Sequence, residues 1–231
     1  MKKILFIAAV AAMFCSCSKT SENANSGDGL WNKANPLIVP YSETTTNPKE
    51  GKRVLVVSSS PRKGGNTDLL ADEFARGAEE VGGKVDKLFL ADYELPFLSE
   101  EGASSPKDDD HTSVAWRMVE RFMAADVVVL ASPVYYMNVN DRMKTFIDAT
   151  FLAWADERTM GKEYYYITAC AQAEETTAEC AFQGFRGLVW CLPNSVERGY
   201  VLATSMGRKG AVVNTPYMQQ AYELGKTINK Q

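Results

Sequence analysis

The chain is poor in the residues that build metal centres: one histidine and five cysteines among 231 residues. No C-x-x-C and no Cys/His spacing occurs, so neither a structural zinc nor an iron–sulfur cluster is expected. Walker A spacing and the Rossmann G-x-G-x-x-G are also missing, which excludes the two commonest nucleotide loops. No apolar run reaches the ~20 residues a membrane-spanning helix needs, and the mature body is expected to be soluble. Neither sign of charge dominates. With 25 basic against 29 acidic residues, there is no general basic excess of the kind nucleic-acid binding leaves. No internal repeat is visible. What is present is ordinary for a globular chain, 45% hydrophobic and 23% charged, with enough sequence for one sizeable core.

The first residues have the layout of a targeting segment: Lys2 and Lys3, then apolar Ile4–Phe14, then Cys15-Ser16-Cys17 before polar Ser18-Lys19-Thr20. A small residue before a cysteine that closes an apolar stretch resembles a bacterial lipobox. That resemblance implies loss of residues 1–16, lipid on Cys17, and export to a bacterial membrane as a tethered protein on its periplasmic or outer face. Secretion with cleavage nearby is the alternative. Residues 17–52, rich in Ser, Asn, Thr, Gly and Pro, read as a flexible tether, and 53–231 as the folded domain. Cys170, Cys180 and Cys191 then remain in a disulfide-permissive compartment. Three thiols can form one pair at most, and buried free thiols are expected.

From Arg53 the apolar pattern alternates between strand and helix. Val54–Val57 is a continuous, mostly β-branched run, the mark of a strand covered on both faces. Asn66-Thr67 open a helix with the stripe Leu70, Phe74, Ala78 and Val81, stopped by Gly82-Gly83. Lys84–Leu90 is the second strand, followed by a polar connection over Ala91–Asp110 and a helix around Trp116, Val119 and Phe122. Asp126–Ala131 is the third strand. Met143, Phe146 and Ile147 belong to another helix, Tyr164–Ala169 to a fourth strand, Thr176–Val189 to a helix, Tyr200–Ala203 to a fifth strand, and Tyr217–Ile228 to a closing helix. Five strands alternating with five helices predict an α/β three-layer sandwich around a parallel sheet, with ligands outside the carboxyl ends of the strands.

Two loops at those ends carry chemistry. Ser58–Thr67 (SSSPRKGGNT) runs from a strand into a helix N-terminus, where free N–H groups and the helix dipole favour an anion. Its Ser58, Ser60 and Thr67 hydroxyls, the permissive Gly64-Gly65 and the charge of Arg62 suit a phosphate. A Ser/Gly turn that merely caps the helix is the alternative. Ser132–Asn140 (SPVYYMNVN) places Tyr135 and Tyr136 where a planar ligand would lie; a hydrophobic loop with Asn140 as helix cap is the alternative. His111, among Asp108–Asp110, is expected to be a solvated residue at a helix start rather than a proton donor.

Together these loops make the chain similar to the NADPH-dependent FMN reductase and multimeric-flavodoxin branch of the flavodoxin-like superfamily. The similarity spans Arg53–Gln231 and rests on VLVVSSSPRKGGNTDLLADEFARGAEEVGGKVDKLFL, on ADVVVLASPVYYMNVNDRMKTFIDAT, and on Ala221–Gly225. It implies strand order 2-1-3-4-5 and FMN, with its phosphate on Ser58, Ser60, Arg62, Asn66 and Thr67. Pro133, Val134, Tyr135 and Tyr136 would hold the ring. It further implies an oxidoreductase that takes hydride from NAD(P)H onto flavin N5, so that no side-chain acid or base is required. A small-molecule acceptor (flavin, quinone, nitro- or azo-compound) would then be reduced, and the family implies a homodimer. A lipid-tethered electron carrier without NAD(P)H activity, or a flavin-free binding module, would use the same fold. The chain departs from the pattern in three places: no cysteine lies in Ala91–Asp110, Ala149 follows Lys144 and Asp148 where an arginine is usual, and Cys170–Glu175 replaces a glycine-bearing loop.

Overall fold

The computed structural model describes residues 51–98 and 113–229. The targeting segment, Cys17, most of the tether and His111 lie outside the described residues. The strands are β1 (Arg53–Ser58), β2 (Lys84–Phe89), β3 (Val127–Tyr135), β4 (Asn138–Val139), β5 (Glu163–Ala169) and β6 (Val196–Ala203). The α-helices are α1 (Asn66–Glu80), α2 (Val114–Ala124), α3 (Asp141–Ala149), α4 (Glu179–Cys191) and α5 (Pro216–Gly225). The sheet order is β2-β1-β3-β5-β6, all parallel, with short β4 antiparallel to the end of β3. This is the predicted flavodoxin-like sandwich, with one extra hairpin strand.

Strand alternation sorts the core into two layers. Val54, Val56, Val129, Tyr165, Ile167 and Val201 point to the side covered by Leu70, Phe74 and Ala78 of α1 and by Ala221 of α5. On the opposite face Tyr166 packs against Phe182 and Phe185 of α4, and Phe122 of α2 meets Phe146 of α3 edge to face. β5 is buried along its whole length, as a central parallel strand must be. The helices α1 and α5 approach so closely that a Cβ on Gly77 would sit 2.0 Å from Tyr222 O, and one on Gly225 would sit 2.1 Å from Phe74 O. Glycine is therefore obligatory at both crossings, which gives a physical reason for the Ala221–Gly225 motif.

Three expectations need correction. The third strand does not stop at Ala131 but continues to Tyr135, because Ser132 and Pro133 pair with β5 and Val134 and Tyr135 with β4. Lys52, counted with the tether above, is fastened to the body by its ammonium, which donates to Glu163 Oε2 at 2.8 Å and to Ile228 O at 2.6 Å. The thiols are not uniformly buried: Cys170 is, whereas Cys180 and Cys191, three helical turns apart on the outer stripe of α4, are exposed. None of the three is in a disulfide among the described residues. There, too, no helix is long and apolar enough to cross a membrane.

Candidate functional site

The turn from β1 to α1 is held from beneath by a buried carboxylate. Asp68, in the first turn of α1, accepts from Gly64 N at 2.9 Å and from Ser58 Oγ at 2.9 Å, and pairs with Lys87 Nζ at 2.7 Å. An acid in this turn is favoured by the helix dipole, and Lys87 balances its charge. Gly64 adopts φ +66°, the left-handed conformation that lets the chain fold back over Asp68. Gly65 precedes the helix, and no side chain caps it. The first-turn N–H groups of an α-helix have no intrahelical partners, so those of α1 face the loop uncapped.

The five residues expected at an anion divide into two sets. Ser58 is fully buried, its hydroxyl given to Asp68. Ser60 Oγ donates to Arg62 O and accepts from Arg62 N, closing the turn on itself. Asn66 donates through Nδ2 to Met206 O at 2.9 Å and to Arg208 O at 2.8 Å, and its Oδ1 accepts from Val212 N at 3.3 Å. Its side chain thus pins the segment after β6 onto the loop. Arg62 is exposed at the mouth. Thr67 is 2% exposed, and its hydroxyl meets no partner among the described residues. Arg62 and Thr67, with the backbone N–H groups, are the groups left for a ligand.

Beside this loop stands the β3–β4 hairpin. Val134 pairs with Val139 and Tyr135 with Asn138 across a two-residue turn, in which Tyr136 and Met137 both have positive φ, 49° and 63°. The two tyrosines consequently do not stand side by side: Tyr135 is partly exposed at the strand end, and Tyr136 projects wholly into solvent from the turn. Pro133 and Val134 are half-buried. Asn140 caps α3 through Oδ1, accepting from Met143 N at 3.2 Å, as the cap reading requires. The same side chain donates from Nδ2 to Ser59 O at 2.7 Å, and that cross-link between the two loops was not visible in the sequence. No local pattern distinguishes an asparagine that caps its own helix from one that also reaches a strand 81 residues away.

A cavity of about 290 Å³ borders the hairpin's helix and is lined by Tyr93, Leu95, Phe97 and Arg142 among others. Arg142 reaches across it to the carbonyls of Leu90 and Tyr93. The segment after β5 is fixed to the segment after β6: Met206 N donates to Cys170 O at 2.7 Å and Ser205 N to Gln172 O at 2.8 Å. Burial pushes the Cys170 thiol pKa up, so it is protonated and unreactive at neutral pH. Among the described residues, no group of three or more His, Cys, Asp or Glu side chains is placed to hold a metal ion. The arrangement therefore offers an anion seat beside an apolar ledge, at the carboxyl ends of β1 and β3 where ligands of open α/β sheets bind.

The profile of the NADPH-dependent FMN reductase family matches residues 52–222. An iron–sulfur flavoprotein of Archaeoglobus fulgidus is 35% identical over 96 residues, 40% of this chain and 42% of that protein. A NAD(P)H dehydrogenase (quinone) of Paracoccus denitrificans is 28% identical over 121 residues, 50% of this chain and 55% of that protein. The chain thus spans about half the length of these curated relatives. An azoreductase structure from Bacillus anthracis superposes with TM-score 0.60 at 19% identity, covering 76% of this chain and 99% of its own, a likeness of fold.

Proposed function

Because the chain belongs to the NADPH-dependent FMN reductase family, matched over residues 52–222, we propose that it is an NAD(P)H-dependent oxidoreductase holding FMN at the carboxyl ends of its sheet. The observation that carries this reading is the uncapped first turn of α1 behind the left-handed Gly64, opening beside the Pro133–Tyr135 ledge. The residues present fit the cofactor. Helix N–H groups, the Thr67 hydroxyl and the Arg62 guanidinium match a phosphomonoester, and Pro133, Val134 and Tyr135 provide a surface for a flat ring.

When bound, FMN supplies the two-electron transfer between a nicotinamide donor and a small-molecule acceptor. The chain's own residues bind and orient. Asp68 and Ser58 fix the loop from below. Asn140 holds the loop and hairpin in register, and Pro133–Tyr135 shield one side of the ring from water. Tyr93, Leu95 and Phe97, with Glu94, Asp141, Arg142 and Thr145 around them, border a mixed polar and apolar opening that an acceptor can enter.

The proposal extends to export with lipid on Cys17, supported by the pattern Lys2-Lys3, Ile4–Phe14 and Ser16-Cys17. It also extends to a homodimer, supported by the exposed Phe97, Tyr136 and Met137 at the same end. The cofactor reading is tested by adding FMN to the purified chain and recording the flavin spectrum, then following NADPH and NADH oxidation. Tight FMN binding with steady turnover is expected; a protein that does not take up FMN overturns it. Metabolic labelling with a fatty acid tests the anchor, with label expected on the wild type and none on Cys17→Ser.

A further inference from the structure

The described residues contain eighteen arginines and lysines, and fifteen of them have partners. Most are in ion pairs; Arg142 and Lys162 donate to carbonyls, and Lys84 and Arg117 are engaged as well. The three that meet no partner among the described residues are Arg62, Arg208 and Lys209. Their stretches of chain meet at one place. Arg62 belongs to the β1–α1 loop, while the carbonyl of Arg208 and its neighbour Met206 O accept from Asn66 in the first turn of α1. A Cβ built on Gly64 would lie 3.7 Å from Lys209 Cε and 4.0 Å from its Nζ, so the Lys209 ammonium hangs directly over the phosphate loop.

Unpaired cations repel one another, and two sequence-distant segments bring these together beside the positive end of a helix dipole, which adds to the repulsion. Among the described residues nothing balances them, and an anion seated there would. Thr67, almost completely buried in the same first turn with its hydroxyl unpartnered, independently points to a ligand there.

Resting on the FMN reading above, we propose that the segment Thr204–Thr215 is a second jaw of the phosphate site. Arg208 and Lys209 bind the outward oxygens of the FMN phosphate, opposite Arg62 and Thr67. Asn66 is a positioning residue that fixes the jaw rather than a phosphate ligand. The segment is shaped for this by its own backbone: Ser205, Gly210 and Asn214 all adopt positive φ, and hydrogen bonds from Ser205 N and Met206 N lock its start onto Gln172 and Cys170. The backbone that carries the two cations is therefore held in place before a ligand arrives, which limits the part of the ordering cost that falls on the main chain.

The test compares FMN with riboflavin, which lacks the phosphate, by fluorescence titration of the full-length apoprotein at low and high salt. The wild type is expected to prefer FMN strongly, the preference shrinking with salt as charge contacts are screened. The double variant Arg208→Ala/Lys209→Ala is expected to bind FMN about a hundredfold more weakly, the loss of two charge-assisted contacts at about tenfold each, with riboflavin affinity unchanged and a shallower salt dependence. Asn66→Ala is expected to lower FMN affinity by a similar factor. Combined with the double variant it should add little, because all three substitutions remove the same jaw. Equal loss of FMN and riboflavin affinity in the double variant would make the segment a general structural support and overturn the proposal. Unchanged FMN affinity with a raised KM for NADPH would assign the two cations to the nicotinamide nucleotide instead, also overturning it. Additivity of Asn66→Ala with the double variant would return Asn66 to the role of direct ligand. A wild type with no preference for FMN over riboflavin removes the phosphate reading beneath the proposal, a different failure from any of these.

Discussion

At the amino ends of the strands most of the charges are paired with one another, whereas at the carboxyl ends three cations meet no partner among the described residues. Glu163, 5% exposed, receives Lys52 Nζ and Arg198 Nη2 at 2.8 Å each. Asp126 takes a fork of bonds from Arg53, and Lys162 gives its ammonium to the carbonyls of Met123 and Ala125 at the end of α2. A cavity of about 250 Å³ lies among these groups, and the charges in its walls are already ion-paired or bonded to carbonyls. At the other end, the mouth of the β1–α1 loop keeps Arg62, Arg208, Lys209 and Thr67 without partners among the described residues. Unpaired cations, rather than enclosed space, distinguish the carboxyl end.

The largest expected effect comes from breaking the neutral end. Glu163→Ala leaves Lys52 and Arg198 without their shared carboxylate in a mostly buried setting, and removing one partner of a buried pair costs about 3 kcal/mol or more. Denaturant unfolding should show that loss, while the folded variant keeps wild-type FMN affinity because Glu163 lies at the far end of β5 from the loops. A variant of unchanged stability would mean that the amino-end network contributes little.

The matching perturbation at the open end has the reverse signature. Arg62→Ala should leave stability within about 0.5 kcal/mol, as surface substitutions do, yet weaken FMN binding by roughly tenfold or more. Thr67→Val, of similar shape, should weaken it less. Titration of both apoproteins checks this, and unchanged affinity in both would remove the phosphate from this loop.

The same contrast separates what the sequence reveals from what it hides. Continuous β-branched runs such as Val54–Val57 and Val127–Leu130 announce the parallel core, and the Gly64-Gly65 turn into a helix announces an anion seat, since both are local patterns. The boundary at Ala131 was misplaced because Ser132-Pro133 looks like a strand exit, while the partner that prolongs β3 is β5, more than thirty residues away. Ser58 is a ligand candidate by residue type, and Asn66 by the family resemblance. Their hydroxyl and amide are engaged by Asp68 and by Met206 and Arg208, contacts no spacing rule encodes. Arg208 and Lys209 carry no sequence signal for the converse reason: nothing near them in the chain is patterned for an anion, and only the fold carries Lys209 to Gly64.

Lys162 sharpens the comparison through pH. Burial lowers its pKa from the usual 10.5 to about 8, so the folded protein releases this proton before the unfolded chain does. Between about pH 8 and 10.5 the unfolded state binds more protons at this site, and stability rises with pH from this group. Below pH 8 the penalty of a buried charge is fully present. The stability of the wild type relative to Lys162→Met should accordingly increase from pH 8 to 10, measured by denaturant midpoints at several pH values. A difference that stays flat would show that the ammonium is solvated in the folded state.

The smallest effect belongs to the hairpin turn. Two-residue turns with positive φ at both positions favour Asn-Gly, yet this one has Tyr136 and Met137. A left-handed non-glycine residue costs roughly 1 kcal/mol, partly offset by the greater backbone entropy a glycine would lose. Met137→Gly should therefore stabilise the fold slightly, by about 0.5 kcal/mol, while Tyr136→Gly does the same and removes the exposed ring. If the turn is strained only to present that ring beside the ledge, Tyr136→Gly will raise the KM for the acceptor and Met137→Gly will not. Equal kinetics in both variants would place the strain outside function, leaving the open end of the sheet defined by its unpaired cations alone.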